Sequence, residues 1–312
     1  MPFSTVQREP LINRLRLSQL ALLAAMDRTA TLSAAAREVN LTQPAASRLL
    51  RELASDLRVV LFERVGRTLR PTAAGRALIR RAVGFLAELD RTQDEIEAIH
   101  DGLVGTVRLG AGVSSWYVVV PTALKLLMEQ SSEIAVSIRE GAMDELLGRL
   151  RTGQIDLLVG RFGHEQDLSD VKTEDLYRPS VVAVCGVKHP LASRRSLDWD
   201  QLYEQPWIFP EAGTAMRSAI ESHFRKTKRR PAKASVESSS IQANVALLNS
   251  SRLIWVLSSD VAAYFAKLGA LHVLMVEQLP APGAFVLARL VGRRLSPAAE
   301  KLADCLRAVG TL

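Results

Sequence analysis

The chain has 312 residues, 48% hydrophobic and 23% charged, the balance of a globular protein of about two domains, which excludes a disordered or low-complexity chain. Cys185 and Cys305 form no Cys-x-x-Cys pair, so neither a disulfide-stapled secreted scaffold nor a cysteine-ligated zinc site fits. The net charge of +7 is unevenly placed: residues 1–81 hold fourteen Arg, no Lys and six acids, a local +8, while the remainder carries −1, and arginine's planar fork matches phosphate and guanine edges.

Leu17, Leu20, Leu23 and Ala24 fall at 3–4 spacing and predict an amphipathic helix over Leu17–Asp27. The apolar run Leu20–Met26 is at the lower limit for a signal peptide and has no cleavage-like segment after it. No apolar stretch approaches the ~18 residues of a membrane span, so the expected location is cytoplasmic, with no membrane partner. Ser33 is expected to cap a short helix, Ala34–Val39, and Asn40-Leu41 to make a tight turn, since Asn tolerates left-handed angles. Thr42 then caps a third helix with Pro44 in its first turn. Ala45, Leu49, Leu50 and Leu53 would face inward, leaving Gln43, Ala46, Ser47, Arg48 and Arg51 outside or on the flanks.

Short helix, tight turn, then a helix with amide, hydroxyl and guanidinium groups near its start predicts a helix-turn-helix whose second helix suits the major groove. Its DNA-contacting set would be Thr31, Ser33, Thr42, Gln43, Pro44, Ala46, Ser47, Arg48 and Arg51. Val59–Phe62 reads as a short strand, and Arg64, Arg67 and Arg70 surround a turn at Gly66, a basic wing beside that helix. The bland alternative is a small helical domain with a solvated arginine face.

The segments LSQLALLAAM, TLSAAAREVNLTQPAASRLLREL and LFERVGRTLRPTAAG, in that order within residues 15–80, resemble the DNA-binding domain of LysR-type transcriptional regulators. The resemblance implies a sequence-specific regulator rather than an enzyme, with promoter DNA, a small-molecule effector and RNA polymerase as partners. Two positions depart from the family pattern. Arg58 stands where Gly usually follows the recognition helix, so a left-handed angle would fall on a residue with a side chain. Ala54 stands where Glu is common.

Pro71-Thr72 opens a helix that Gly102 stops, ~43 Å long at 1.5 Å per residue. Positions 78, 82, 85, 89, 92, 96, 99 and 103 carry Leu, Ala, Phe, Leu, Thr, Ile, Ile and Leu, the alternating four-three spacing of a coiled-coil seam. Leu78, Phe85, Leu89, Ile96 and Ile99 are the expected dimer contacts; a core helix of one domain is the competing reading. In the resembled family this linker helix pairs two helix-turn-helix units, implying a homodimer or tetramer on a roughly palindromic operator.

Beyond Gly105 strands and helices alternate. Thr106–Gly110, Ile134–Ile138 and Ile155–Val159 read as strands, with helices over Trp116–Gln130 and Met143–Arg151. A second set comprises Val181–Val187, a helix near Leu197–Tyr203, Trp207–Phe209, Met216–Lys226, Ser235–Ser239, Ile241–Leu248 and Leu253–Leu257. Phe285–Leu290 and Pro297–Val309 close the chain as strand and helix, and the alternation predicts mostly parallel sheets. GTVRLG, ELLGRLRTGQIDLLVG and the HPLA segment resemble the effector domain of the same regulators, a two-lobed fold like periplasmic solute-binding proteins. VGRF, GTAMR and SVESSS lean toward the branch of regulators of sugar-binding proteins and of protocatechuate catabolism.

The expected architecture is therefore a winged helix-turn-helix over 1–71, helical with a small β wing, then a long linker helix over 72–104. A two-lobed α/β effector domain follows over 105–312, with lobe one at 105–161 and 271–312 and lobe two at 162–270. A cleft between such lobes collects strand ends and helix N-termini, where small ligands bind. Ser114, Ser115, Trp116, Arg161, Gly213, Thr214, Arg217 and Ser239 are the expected effector contacts, suited to an aromatic acid or sugar acid; plain capping is the alternative for each.

Catalysis leaves little trace. His100, His164, His189, His223 and His272 form no HExxH, and no Gly-x-Ser-x-Gly, P-loop or dinucleotide fingerprint is present. No metal and no cofactor is expected, and Cys185 in VVAVCGV reads as a buried inert thiol. The rival class is a solute-binding or enzyme-like α/β protein whose basic helical domain serves only assembly.

Overall fold

Capping chemistry sets the N-terminal helices. In the computed structural model, which describes residues 15–29, 31–65, 68–100, 105–163, 166–227, 234–279 and 282–310, they are α1 (Leu17–Arg28), α2 (Leu32–Glu38) and α3 (Gln43–Leu57). Thr31, extended at φ −141° and ψ 147°, caps α2 by accepting from the Ala34 N–H. Ser33, expected as that cap, lies inside the helix, because the earlier residue already takes the orphan N–H. Asn40 sits in the left-handed region at φ 56°, and Thr42 caps α3 with Pro44 in its first turn. Leu22, Leu23, Ala35, Ala36, Leu53 and Leu61 share one core. Leu17, expected inside, is exposed; Leu20 and Leu22–Ala25 form the buried face of α1.

The wing is an antiparallel hairpin, β1 (Phe62–Val65) with β2 (Thr68–Pro71), pairing Glu63 with Arg70 and Arg64 with Leu69. Val59 and Val60, expected in the strand, precede it as exposed coil. Gly66 and Arg67, between the strands, lie outside the described residues. Helix α4 (Ala73–His100) follows, opened by Thr72, whose hydroxyl oxygen accepts from the Gly75 N–H. Gly75 is required there, since a Cβ would meet the Leu61 carbonyl oxygen at 2.0 Å. Ile79, Ala82 and Val83 anchor the first turns of α4 on the helix-turn-helix core.

The chain forms two compact units, residues up to Glu97 with Arg151–Gln154, and Ala98–Leu150 with Ile155 onward. The second contains two five-stranded sheets. In one, β3 (Gly105–Gly112) runs parallel to β4 (Ile134–Gly141) and β5 (Leu157–Gly160). β6 (Val171–Tyr177) and β12 (Phe285–Leu290) complete it antiparallel, in the order β4-β3-β5-β12-β6. The other sheet has the order β11-β7-β10-β8-β9, with β7 (Val181–Cys185), β8 (Trp207–Phe209), β9 (Ala234–Glu237), β10 (Ile254–Ser258) and β11 (His272–Val273). Both sheets are mixed rather than mostly parallel, because β12 and β7 run against their neighbours.

Helices α5 (Val119–Gln130) and α11 (Pro297–Val309) cover one side of the first sheet, and α6 (Met143–Arg151) packs with the apolar residues of β5 on the other. The second sheet carries α7 (Trp199–Tyr203) and α8 (Ala215–Thr227) on one side, α9 (Ile241–Ser250) and α10 (Ser259–Lys267) on the other. Strand pairing corrects the lobe boundaries: 171–177 stays in lobe one through its ladder with β12, and 272–273 joins lobe two through β7. The chain crosses between lobes after Tyr177 and returns before Phe285, the crossings tied by a bridge between Val181 and Leu279.

Candidate nucleic-acid interface and ligand cleft

The phase of α3 separates core from surface. Ala46, Leu50 and Leu53, at i, i+4 and i+7, are buried. Ala46, expected outside as a DNA contact, is 0% exposed and packs in the helix-turn-helix core; it takes the inward place expected for Ala45, which is only partly covered, while Leu50 and Leu53 are buried and Leu49 packs half-buried against the core as expected. Gln43, Pro44, Arg48 and Arg51 are exposed and Ser47 is half-buried. Thr42 accepts from the Ala45 N–H at 3.4 Å. Neither α2 nor α3 has an acid in its first turn, so neither helix sets a carboxylate of its own against its positive N-terminal end. Thr31 and Ser33 are exposed, as are Arg64 and Arg70 on the hairpin. Arg67 lies outside the described residues.

Along α4 an apolar face stands open: Phe85, Leu89 and Ile96 are 50%, 41% and 64% exposed. Leu78 is instead half-buried against the helix-turn-helix core, and the side chain of Ile99 lies outside the described residues. Thr92, the polar member of the seam, donates its hydroxyl to the Glu88 carbonyl.

In the second unit the lobes meet through named side chains. Val113 and Tyr117, which follow β3, pack on the lobe-two core, with the Tyr117 ring 5.0 Å from that of Phe265. Ser114, Ser115 and Trp116 form a 3-10 turn rather than opening α5, whose N-cap is Val118 with no side-chain cap. The helix-end anion site expected there is therefore not formed. Ser115 is buried and donates to the Val159 carbonyl at 3.2 Å. Arg217 is engaged within lobe two, by Glu221 at 2.7 Å, the Pro210 carbonyl at 3.0 Å and Glu237 at 3.3 Å. Gly213, at φ 81°, makes the turn before α8, and Thr214 accepts from the Arg217 N–H. Ser239 is exposed.

Arg161 differs. It lies directly after β5, half-buried, with Nε and Nη2 closed off from solvent and without a hydrogen-bond partner among the described residues. Its guanidinium carbon stands 4.2 Å from the Phe285 ring centroid, and that ring stacks at 5.0 Å and 11° on Tyr177. Tyr177 donates its hydroxyl to Asp260 Oδ2 at 2.6 Å, lobe one to lobe two. Asp260 Oδ1, Asn244 Oδ1 and Trp116 Nε1 are also buried without a hydrogen-bond partner among the described residues. Trp116 lies in the turn after β3, Arg161 directly after β5, Asn244 near the start of α9 after β9 and Asp260 at the start of α10 after β10, so all four follow the C-terminal ends of strands running parallel within their sheets, the place where such folds hold ligands. Burial pulls the Arg161 guanidinium below its usual pKa, against the charge of Asp260, and burial pushes Tyr177 up.

Tyr177, Asn244, Asp260 and Phe285 escaped the sequence reading. The Ser258-Ser259-Asp260 run after an apolar strand was a legible helix start; the others carry no local signal. Cys185 is fully buried and its thiol is pushed up to about 12 by desolvation, which leaves it protonated and unreactive. Among the described residues no three His, Cys, Asp or Glu come together to hold a metal ion, and no helix is long and apolar enough to cross a membrane.

Residues 17–76 match the bacterial regulatory helix-turn-helix family of lysR type, and residues 100–311 match the LysR substrate binding domain. The transcriptional regulator GbpR of Azospirillum brasilense is 28% identical over 296 residues, 95% of this chain and 86% of that protein. PcaQ of Agrobacterium fabrum is 29% identical over 266 residues, 85% of each. The full-length CbnR complexed with its target DNA superposes with TM-score 0.68 at 19% identity, covering 95% of this chain and all of that one.

Proposed function

The chain belongs to the LysR family of transcriptional regulators, DNA-binding proteins with an effector-binding domain, and from that premise we propose how this member reads its operator and its signal. The observation that carries the reading is the polarity of α3. One face is sealed in the core by Ala46, Leu50 and Leu53, while Gln43, Arg48 and Arg51 stand outside it. Gln43 and Arg48 read base edges in the major groove, Thr42 and Ser47 hold phosphates, and Arg64 and Arg70 on the wing touch the backbone or minor groove. Thr31, Ser33 and Pro44 border the same end of the motif.

Two copies pair along Phe85, Leu89 and Ile96, so the operator has two half-sites, and tetramers and contact with RNA polymerase follow the same family logic. The effector is a small anionic or polyhydroxylated molecule held between the lobes, where Trp116, Arg161, Asn244 and Asp260 offer unpartnered donors and acceptors. Its binding shifts the lobe equilibrium and, through α4, the angle between paired DNA-binding units.

A gel shift on the region upstream of the gene tests the DNA reading. Specific binding should weaken steeply with salt and be lost in Gln43→Ala or Arg48→Ala. Binding indifferent to sequence would refute it. Calorimetry with aromatic and sugar acids tests the cleft; an affinity unchanged in Arg161→Gln would remove that residue from the site.

A further inference from the structure

The start of α1 carries a cation that the fold does not use. Arg16 is the N-cap of α1, extended at φ −106° and ψ 144°, and its side chain makes no cap hydrogen bond, since a guanidinium has donors and no acceptor for the free N–H groups. The positive end of the helix disfavours a cation at this position. The Arg16 ion pair with Glu52 spans 3.8 Å between side chains 71% and 44% exposed, a setting in which water screens most of the attraction. Arg16 adds little to stability.

It adjoins the reading face of α3 instead. Arg48, Glu52 and Ser55, at i, i+4 and i+7, form one exposed stripe on the side of α3 away from Ala46, Leu50 and Leu53. With Arg16, Arg51 and Asp56 they line an open recess of about 510 Å³, so three guanidinium groups share one space with two carboxylates. An α-helix about 10–12 Å across fills a major groove ~12 Å wide, and a recess along its flank meets the backbone at the groove edge. We propose that Arg16 grips a DNA backbone phosphate entering this recess and that Glu52 opposes it, engaging Arg16 in the free protein and repelling the phosphate in the complex. The guanidinium exchanges a screened carboxylate for phosphate oxygens that it meets with two parallel N–H bonds. Arg16 is then a positioning contact, which sets register and carries no sequence information of its own. The proposal rests on α3 occupying the groove and adds α1 to the surface that holds DNA.

The test is fluorescence anisotropy of the full-length protein across a salt series, on a duplex from the region upstream of its gene and on a scrambled duplex of equal length and composition. Arg16→Gln should lower the slope of log K against log salt by ~0.9 per bound chain and the affinity roughly tenfold. The preference for the upstream duplex and the melting temperature should stay unchanged. Arg16→Lys should restore the slope, and Glu52→Gln should act with the opposite sign, tightening binding several-fold on both duplexes. A slope unmoved by Arg16→Gln overturns the proposal. So does weaker binding in Glu52→Gln, the result expected of a pair that only braces α1 against α3. Arg48→Ala keeps the underlying reading separate. If it leaves the preference intact, or if wild type shows none, α3 does not read bases, and the slope of Arg16→Gln still decides the phosphate contact.

Discussion

Arg58 ends α3 at φ 54° and ψ 39°, a left-handed cap on a residue with a Cβ, and the chain closes there because its N–H still reaches the Ala54 and Ser55 carbonyls. The departure at this position changes the residue and keeps the turn. Arg58→Gly should relieve ~1 kcal/mol of backbone cost and return part of it through a freer unfolded chain, a net gain of roughly 0.5 kcal/mol. A higher urea midpoint for the N-terminal unit at unchanged operator affinity would record it. The phase of α3 makes a sharper residue-level contrast. Ala46→Gln forces a polar chain into a filled core and should cost about 2–3 kcal/mol. Gln43→Ala should leave stability within ~0.5 kcal/mol and remove ~1–3 kcal/mol of base discrimination. Thermal melts paired with gel shifts on matched and mismatched operators decide it, and the reverse pattern would mean the helix is rotated.

Elements with strong periodicity or unambiguous caps were legible in the sequence: α6, β12 and α11 have the spans expected of them, and α3 starts where Thr42 and Pro44 place it. β6 was not, because Lys172, Glu174 and Asp175 interrupt its apolar alternation and it is held by a partner more than a hundred residues away. That pairing decides the lobe boundary, so the error in one strand moved the whole partition. β6 is also tied to α11 by Arg307, which donates to Glu174 at 2.8 Å. The Arg307 hydrogen bond holds the Glu174 carboxyl below its ordinary value of 4.5. Its contribution is present above that value and lost as pH falls through the lowered one. Both groups are partly exposed, so Arg307→Gln should cost no more than ~1 kcal/mol at pH 7, and the difference from wild type should vanish toward acid in pH-dependent denaturation. On α4, Phe85→Glu with Ile96→Glu places like charges on the open face and should convert dimers to monomers in analytical ultracentrifugation without loss of helix content.

At the scale of the whole molecule, the charge partition and the cleft differ in how sequence encodes them. The +8 of residues 1–81 is a sum over local choices and could be read directly. The hinge group is not, since Arg161, Tyr177, Asp260 and Phe285 come from four distant segments and meet only when the two sheets close. The charge partition yields a quantitative prediction about assembly. Each phosphate neutralised contributes ~0.9 to the slope of log K against log salt on duplex DNA. The pairing proposed along α4 would place two copies of Arg48, Arg51, Arg64 and Arg70 on one operator, so the dimer should show about twice the slope of one unit. The Phe85→Glu/Ile96→Glu protein, its α3 untouched, should bind a single half-site with about half the wild-type slope and no sensitivity to half-site spacing. Wild type should lose affinity when the half-sites are moved by five base pairs, which turns one of them to the opposite face of the duplex. An equal slope in both proteins would mean that one chain already makes every phosphate contact, and the open face of α4 would then have no part in reading DNA.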